Sequence, residues 1–263
     1  MSSNAAWASR RDDAMERRQV GGGPRRRGGE RVHEVGVRGI DTIFLDAGGV
    51  LVWPNWQRMS EAFRAHGVVV APEQLAAADP LARVEFDRED VTGATTDQRR
   101  GRSYFDLMLA HAGVQLSDRT SAALNDLQAY HRENNLWETV PDFVVPTLQR
   151  LRAAGFRLVV VSNANATLHR AFARLGLAPY FDVILDSALE GVEKPDPHIF
   201  EIALERSGAR ADSTVHVGDL YHVDVVGARA AGLSAVLVDE CDLRPDFDCR
   251  RIRSIAELPA LLR

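Results

Sequence analysis

The sequence is organised around one recurring unit, a short apolar, β-rich run that ends in small or acidic residues. The first run is DTIFLDAGGVLV at residues 41–52, and FRLVVVSNAN, STVHVGDLYHVD and LSAVLVDE repeat the pattern from Phe156, Ser213 and Leu233. FDVILDS, from Phe181, is a fifth. Runs of this length and composition are typical of buried strands that lead into tight loops. The chain is therefore predicted to contain five buried strands.

Helical patterns lie between these strands. In FVVPTLQRLRAAGF, apolar residues recur at helical spacing and Gly155 follows them as a C-terminal cap. PHIFEIALERSG has Pro197 near its start and Gly208 at its end, residue types that suit the two ends of a helix. Alternating strands and helices favour right-handed crossovers and a parallel sheet covered on both faces. We therefore predict an α/β fold with a Rossmann-like core.

The stretch from residue 55 to 140 breaks this alternation, because it contains several helical patterns and no good buried strand. A helical stretch of this length is an insertion rather than a crossover between two neighbouring strands. We predict an α/β core at residues 40–54 and 141–263, with residues 55–140 forming an inserted α-helical cap domain over the strand ends.

Charge is distributed unevenly along the chain. Residues 1–39 contain nine arginines against five acidic residues, whereas the whole chain has a net charge of −5, so the rest carries about −9. The glycine- and arginine-rich segment QVGGGPRRRGGERV predicts that residues 1–39 are a disordered basic tail. An acidic globular body argues against a nucleic-acid partner.

The sequence also constrains the compartment. No apolar run approaches the roughly 18 residues that a membrane helix needs, so no membrane association is expected. Arg10 and Arg11 are followed by acidic residues from Asp12 onward, where an export signal needs an apolar segment. Cys241 and Cys249 are too few for a disulfide framework and are predicted to be free thiols in a reducing cytoplasm.

Polar residues cluster at the predicted strand ends. Because the carboxyl ends of parallel strands meet at one edge of the sheet, these residues are expected to converge on one crevice. Three carboxylates, an ammonium group, a hydroxyl and glycine backbone suit a Mg²⁺ ion and a phosphoryl group. The residues are Asp46, Gly48 and Gly49 after the first strand, Ser162 and Asn163 after the second, Lys194 after the third, and Asp219 and Asp224 after the fourth.

Lys194 is the only lysine in a chain with 31 arginines. One interpretation is compositional bias that left a single lysine on a solvated surface. The other is a site that needs a compact, strongly hydrated point charge, which a planar guanidinium does not replace. Its place among the strand-end carboxylates favours the second interpretation.

Four segments in order resemble the motifs of the haloacid dehalogenase superfamily: FLDAGGVL, VVVSNAN, VEKPDP and VHVGDLYHVDVVGARAAG. The last segment, with its Ala/Gly-rich helix start, is the most specific. The resemblance extends from about Ile40 to the C-terminus and includes a helical cap inserted after the first strand.

The resemblance implies a phosphatase in which Asp46 attacks phosphorus and forms an aspartyl-phosphate that water then hydrolyses. Ser162 and the amide of Asn163 would bind phosphoryl oxygens. Lys194 would stabilise both the nucleophile and the transferring group. The implied substrate is a small phosphorylated metabolite.

The resemblance also implies a Mg²⁺ site formed by Asp46, the backbone carbonyl of Gly48, Asp219 and Asp224. Asp219 would bind the ion directly, whereas Asp224 would support the ion or Lys194 from behind. Simpler explanations exist for single residues: an Asp after a strand often forms a turn, and Asp224 precedes a helix that it could cap. Ser162 could likewise satisfy a loop amide.

One position departs from the pattern. Most phosphatases of the superfamily have Asp two residues after the nucleophile, as the acid that protonates the leaving oxygen, and this chain has Gly48. General acid–base assistance contributes roughly 10²- to 10⁴-fold to a rate. The enzyme is expected either to use a good leaving group, such as a sugar 1-phosphate or an acyl phosphate, or to take its acid from the cap. The cap candidates are Glu85, Asp87, His111 and His131.

Two alternatives to the phosphatase follow from the same motifs. A metal-independent 2-haloacid dehalogenase also needs no acid at Gly48, but the joint charge of Asp219 and Asp224 would repel a haloacid carboxylate. A non-catalytic protein of the same fold could bind a phosphorylated ligand or a protein partner. The motifs leave the substrate and the oligomeric state open, and the cap residues near the crevice in sequence are Trp53, Trp56, Arg58 and Arg83.

Overall fold

The structure is a computed structural model that describes residues 39–87 and 97–262. The basic tail predicted at residues 1–39 lies outside the described residues apart from Gly39. Among the described helices, none combines the length and the apolar character needed to cross a membrane.

Six strands of the described residues form one parallel sheet in the order β5-β4-β1-β6-β7-β8. The five predicted strands are all present, and the sixth, β8, was missed because its two arginines do not read as a buried strand. The strands are β1 (Thr42–Leu45), β4 (Arg157–Ser162), β5 (Val183–Asp186), β6 (Thr214–Gly218), β7 (Ser234–Val238) and β8 (Arg250–Ile252).

Helices cover both faces of the sheet, as predicted. Phe44 of β1 packs into a cluster with the helices of one face, whereas Ile43 and Leu45 point to the other, because successive strand residues alternate between faces. Helices α8 (Pro197–Ser207) and α9 (Val226–Ala230) lie on the Phe44 side. The opposite face holds α5 (Val144–Ala153), α6 (Leu168–Arg174) and α10 (Leu258–Leu261).

Both predicted helix ends are confirmed. Gly155 and Gly208 follow α5 and α8 with φ of +89° and +64°, a left-handed conformation that glycine adopts at little cost. Short helical segments complete the core: α7 (Ser187–Glu190), 3₁₀ turns at Ala178–Tyr180, Ala211–Ser213 and Ile255–Glu257, and a π-helical turn at Tyr221–Val225.

The segment between β2 (Trp53–Pro54) and β3 (Trp137–Thr139) contains four described helices with an apolar core of their own. They are α1 (Trp56–Ala65), α2 (Pro72–Phe86), α3 (Asp97–His111) and α4 (Asp118–Asn134). Met59, Phe63 and Met108 are fully buried in this second core. An antiparallel ribbon of β2 (Trp53–Pro54) and β3 (Trp137–Thr139) joins the chain where it enters and leaves this segment, and neither strand was predicted.

Candidate active site

A cavity of about 340 Å³ lies at the carboxyl edge of the sheet. It forms there because β1, β4 and β6 end side by side: Leu45 is in register with Val160 on one side and Val217 on the other. Every residue that the sequence predicted for the site lines this cavity: Asp46, Gly48, Ser162, Asn163, Lys194, Asp219 and Asp224.

The loop after β1 is a tight turn that presents Asp46. The Asp46 N–H donates to the carbonyl of Val217 at 2.9 Å, which continues the β1–β6 pairing. Gly49 has φ of +67°, and a Cβ at this position would lie 2.4 Å from Asp219 Oδ2. Only glycine lets the turn approach the Asp219 carboxylate after β6 this closely. The turn thereby brings Asp46 and Asp219 to the same end of the cavity.

Lys194 is buried between two carboxylates. Its Nζ lies 2.8 Å from Asp46 Oδ1 and 2.7 Å from Asp224 Oδ1, and the side chain is 1% exposed. Burial alone would lower the pKa of Lys194, but the charges of Asp224 and Asp46 outweigh it and raise the pKa above its ordinary value. The single lysine is therefore a buried ammonium that pairs with the predicted nucleophile, not a residue on a solvated surface.

Asn163 holds the loop that carries Lys194. Its Oδ1 accepts the Lys194 N–H at 2.8 Å and its Nδ2 donates to the Lys194 carbonyl at 2.9 Å. The side chain of Asn163 is thus engaged at both ends by the backbone of Lys194. Ser162 ends β4 beside it, and its hydroxyl forms no hydrogen bond with any amide of the described residues.

Asp224 orders the buried side of the site. Its Oδ1 accepts from Lys194 Nζ and from His216 Nε2 at 2.9 Å, and its Oδ2 accepts the Leu220 N–H at 3.0 Å. Burial would raise the pKa of Asp224, but Lys194 and His216 hold it well below its usual range. The following helix α9 receives no side-chain cap, so the capping explanation for Asp224 is wrong. A Cβ at Gly218 would lie 2.1 Å from the Asp224 carboxyl carbon.

Three carboxylates leave room for a cation. Oxygens of Asp46, Asp219 and Asp224 lie within 4.8 Å of one another. Although Nζ of Lys194 is close to Asp46 Oδ1, its hydrogen bond is directed to Asp224, and Oδ1 is a buried acceptor with no hydrogen bond to the described residues. Burial raises the pKa of Asp219 to about 7 despite the nearby Arg83. A hard divalent cation, which prefers oxygen ligands, fits this donor set.

Arg83 reaches the acidic cluster from α2 of the inserted helices. Its Nη1 lies 3.1 Å from Asp219 Oδ2, and its Nη2 lies 2.8 Å from Asp79 Oδ2 and 3.2 Å from Glu240 Oε2. Arg83 itself is buried. An ion pair therefore joins the inserted helices to the strand end that carries Asp219.

The four residues named from sequence proximity divide into two pairs. Trp53 and Arg83 line the cavity. Trp56 packs against the apolar core of the inserted helices, and Arg58 pairs with Glu138 at 3.0 Å. Neither Trp56 nor Arg58 contributes to the cavity that the described residues form.

The cavity also has an aromatic wall, which we define as Phe86, Tyr104, Phe105 and Trp137. The rings contact one another in sequence, with centroids 6.1 Å apart for Phe86 and Tyr104, 5.1 Å for Tyr104 and Phe105, and 5.9 Å for Phe105 and Trp137. These distances are typical of edge-to-face and tilted aromatic pairs. No signal in the sequence placed these rings at the site, because three of them lie in the apolar patterns of helices.

Trp137 also fills the space beside Gly48. A Cβ at Gly48 would lie 3.2 Å from the indole Nε1 of Trp137. A longer side chain at residue 48 would need the indole to move. The Trp137 indole therefore packs where a carboxylate side chain at residue 48 would otherwise lie.

The family profile of haloacid dehalogenase-like hydrolases matches residues 40–232. The chain belongs to the haloacid dehalogenase-like hydrolases. The resemblance inferred from the four motifs is confirmed, and the match includes the inserted helices. The parallel sheet and the strand-end cavity are the fold and the site position that this membership implies.

Named relatives of this hydrolase include phosphatases. Glyceraldehyde 3-phosphate phosphatase of Methanopyrus kandleri is 33% identical over 168 residues, 59% of this chain and 70% of that protein. Haloacid dehalogenase-like hydrolase domain-containing protein 3 of Mus musculus is 41% identical over 189 residues, 70% of this chain and 75% of that protein. The HAD-hydrolase YfnB of Bacillus subtilis, solved with bound magnesium, shares the fold with a TM-score of 0.64 at 20% identity, over 85% of this chain and 99% of that one.

The four predicted replacements for the absent acid of this hydrolase have different surroundings. Glu85 and His111 pair with each other at 2.9 Å away from the cavity. Asp87 is buried and accepts two backbone N–H groups of the π-helical turn. Only His131 of the four lines the described cavity; its Nδ1 accepts the Leu136 N–H at 3.0 Å, and burial lowers its pKa to about 4. Near neutral pH, His131 is an uncharged hydrogen-bond donor through Nε2 rather than an acid.

Proposed function

We propose that this hydrolase is a Mg²⁺-dependent phosphatase that acts on a small phosphorylated metabolite through an aspartyl-phosphate on Asp46. The observation that carries the proposal is the buried Lys194 ammonium between Asp46 and Asp224, beside the cavity-facing Ser162 hydroxyl. The phosphatases among its relatives act, by their names, on small phosphorylated compounds. Phosphoryl transfer depends mainly on positioned charges of this kind.

In the first step, a carboxylate oxygen of Asp46 bonds to phosphorus as the bond from phosphorus to the leaving oxygen breaks. The Ser162 hydroxyl and the Asn163 backbone N–H donate to phosphoryl oxygens, and Lys194 offsets their charge. In the second step, water attacks phosphorus and Asp46 regains its carboxylate. Asp224 keeps the Lys194 ammonium aimed at Asp46 throughout, because its own oxygens already accept three hydrogen bonds.

The metal ligands proposed are Asp46, the Gly48 carbonyl and Asp219, with Asp224 completing the acidic set. Bound Mg²⁺ would neutralise charge on the phosphoryl oxygens and the carboxylates. Because Asp224 already accepts three hydrogen bonds, it would act on the metal site chiefly by holding Lys194. Arg83 would hold Asp219 on its other side.

We also propose that residues 55–140 act as a cap domain. Their separate apolar core and the ribbon at their two ends support this division. The free thiols of Cys241 and Cys249 support a reducing compartment, and we propose the cytoplasm.

The test is inorganic phosphate release, with and without Mg²⁺, from wild type and Asp46→Asn. Wild type with Mg²⁺ is expected to turn over members of a panel of sugar 1-phosphates, sugar 6-phosphates, acyl phosphates and triose phosphates, and the variant is expected to lose more than about 10³-fold in rate, as nucleophile removal does elsewhere. Metal-independent chloride release from 2-chloropropionate would indicate a dehalogenase. A ligand that raises Tm without being consumed would indicate a non-catalytic binder.

A further inference from the structure

Away from the carboxylates, the aromatic wall lines the cavity, and two of the polar groups near it are already engaged. The Tyr104 hydroxyl donates to Asp79. Asn165 Nδ2 donates to the His131 carbonyl at 3.0 Å, and its Oδ1 accepts from the Thr167 hydroxyl at 2.5 Å. The polar lining residues of α4 are His131 and the exposed Gln128 and Arg132. Asn135, which follows α4, is buried, and its Oδ1 accepts the Trp137 N–H at 3.0 Å.

A polyhydroxylated group seated against this wall would leave hydroxyls without partners. Each unpaired buried hydroxyl weakens binding by roughly 10-fold or more, which disfavours a sugar in this part of the cavity. An aromatic group instead adds a ring to an existing series of ring contacts. The wall thus disfavours substrates whose hydroxyls would find no hydrogen-bond partner on it.

The Trp137 indole gives the wall a polar group, its Nε1–H, besides the Tyr104 hydroxyl that Asp79 already binds. Its Nε1–H lies over Gly48, two residues after Asp46, and it has no hydrogen-bond acceptor among the described residues. An indole N–H donates a hydrogen bond but does not release its proton at physiological pH. Trp137 can therefore stabilise a departing oxygen without protonating it.

We propose that the substrate is a phosphate ester of a weakly basic aromatic or enolic oxygen, whose apolar group packs on the aromatic wall and whose departing oxygen accepts the Trp137 Nε1–H. This substrate class rests on the proposed function. It replaces the sugar 1-phosphates expected from the sequence and keeps the requirement for a good leaving group.

The step balances without an acid at residue 48. The Asp46 oxygen bonds to phosphorus, the ester bond breaks, and its electron pair stays on the departing oxygen. That oxygen leaves as an anion and takes its proton from solvent water. A phenolate or enolate departs in this way, whereas the much more basic oxygen of a simple alcohol needs a proton during bond breaking.

The experiment measures kcat and KM for a series of para-substituted phenyl phosphates, with glucose 1-phosphate and acetyl phosphate alongside. Acetyl phosphate has a good leaving group and no ring, so it reports the Asp46 chemistry independently of the wall. Phenyl phosphate is expected to exceed glucose 1-phosphate at least about 10-fold in kcat/KM, the ratio that one unpaired hydroxyl produces.

Trp137→Phe keeps the ring and removes the N–H. Its kcat on phenyl phosphate is expected to fall about 10-fold with KM nearly unchanged, the effect of one lost hydrogen bond in the transition state. The loss should grow with the basicity of the phenol, which steepens the dependence of rate on leaving group, a change that a general loss of packing does not produce. Trp56→Phe, a tryptophan of the inserted helices outside the cavity, is the matched control and should behave as wild type.

The outcomes separate the two proposals. If acetyl phosphate is turned over in an Asp46-dependent way, the phosphatase proposal stands. The substrate class is then overturned if aryl phosphates are not preferred over sugar phosphates, or if the leaving-group dependence is unchanged in Trp137→Phe. Absence of Asp46-dependent turnover for every compound overturns both. A variant that fails to fold is replaced by Gly48→Ala, whose Cβ presses on Nε1 and should lower kcat in the same leaving-group-dependent way.

Discussion

The acidic end of the cavity and its aromatic wall line the same space but come from different parts of the chain. The acidic end is formed by residues at the ends of β1, β4 and β6 and by the Lys194 loop. The wall is formed by α2, α3 and β3, within or at the end of the inserted segment. One end carries paired charges with almost no exposure, whereas the other carries rings.

Under the proposed function, the acidic end carries out the reaction and the aromatic wall selects the substrate. Lys194 pairs with both Asp46 and Asp224, which follow β1 and β6, so the geometry of the three groups depends on how these strands are placed. The wall depends on how α2, α3 and β3 pack, and it can change without moving a strand of the parallel sheet. Fold membership therefore informs the reaction more than the substrate.

The largest effect on the acidic end is expected from Lys194→Arg. The planar guanidinium does not fit between two carboxylates at 2.7 and 2.8 Å in a side chain with 1% exposure. Phosphate release should fall by at least about 100-fold, the scale of one lost electrostatic contact in the transition state, and Tm should fall. Arg170→Lys, the reverse exchange at an exposed position, is the matched control and should change neither. Wild-type rates in Lys194→Arg would show that any cation suffices at the acidic end.

The next effect is expected from Asp219→Asn, which should raise the stability of the metal-free protein and remove its stabilisation by Mg²⁺. The pKa of Asp219 is raised from 3.8 to about 7, so its contribution to the free energy of unfolding falls as pH rises through that window. Without metal, the variant should be more stable than wild type at pH 8, on the order of 1–2 kcal/mol, and nearly equal below pH 4. Mg²⁺ should raise Tm of wild type and not of the variant. Equal metal stabilisation of both would remove Asp219 from the site.

The smallest effect on the reaction rate is expected beside the wall, from His131→Asn. Because burial lowers the pKa of His131 from 6.5 to about 4, the free energy of unfolding should fall by up to about 3 kcal/mol as pH drops between these values. The variant should lose this acid sensitivity, and its rate between pH 6 and 8 should stay within about threefold of wild type. His169→Asn, at an exposed position, is the control. A large rate loss at neutral pH would make His131 part of the chemistry.

Three residues of the acidic end, Asp46, Ser162 and Asp219, were predictable because each stands at the end of its own apolar run. A parallel sheet collects strand ends at one edge, so Asp46, Ser162 and Asp219 needed no distance information to be grouped. His216 was missed although a histidine inside the apolar β6 run was a signal: its Nε2 donates to Asp224.

The wall was not predictable for a physical reason. The contact of Trp137 with Gly48 joins residues far apart in sequence and depends on how the chain returns through β3. Arg83 likewise reaches Asp219 only because of the way α2 packs over the sheet edge. Helical periodicity identifies the apolar face of such helices but not which rings border a cavity.

The most direct test of the central claim is a rapid acid quench of wild type during turnover of acetyl phosphate with Mg²⁺, followed by mass spectrometry of the proteolytic peptides. The account predicts an acid-stable, alkali-labile phosphoryl group on the peptide that contains Asp46, absent when Mg²⁺ is withheld and absent in Asp46→Asn. Turnover that proceeds with no phosphoryl group on Asp46, or with the group on another residue, would contradict it.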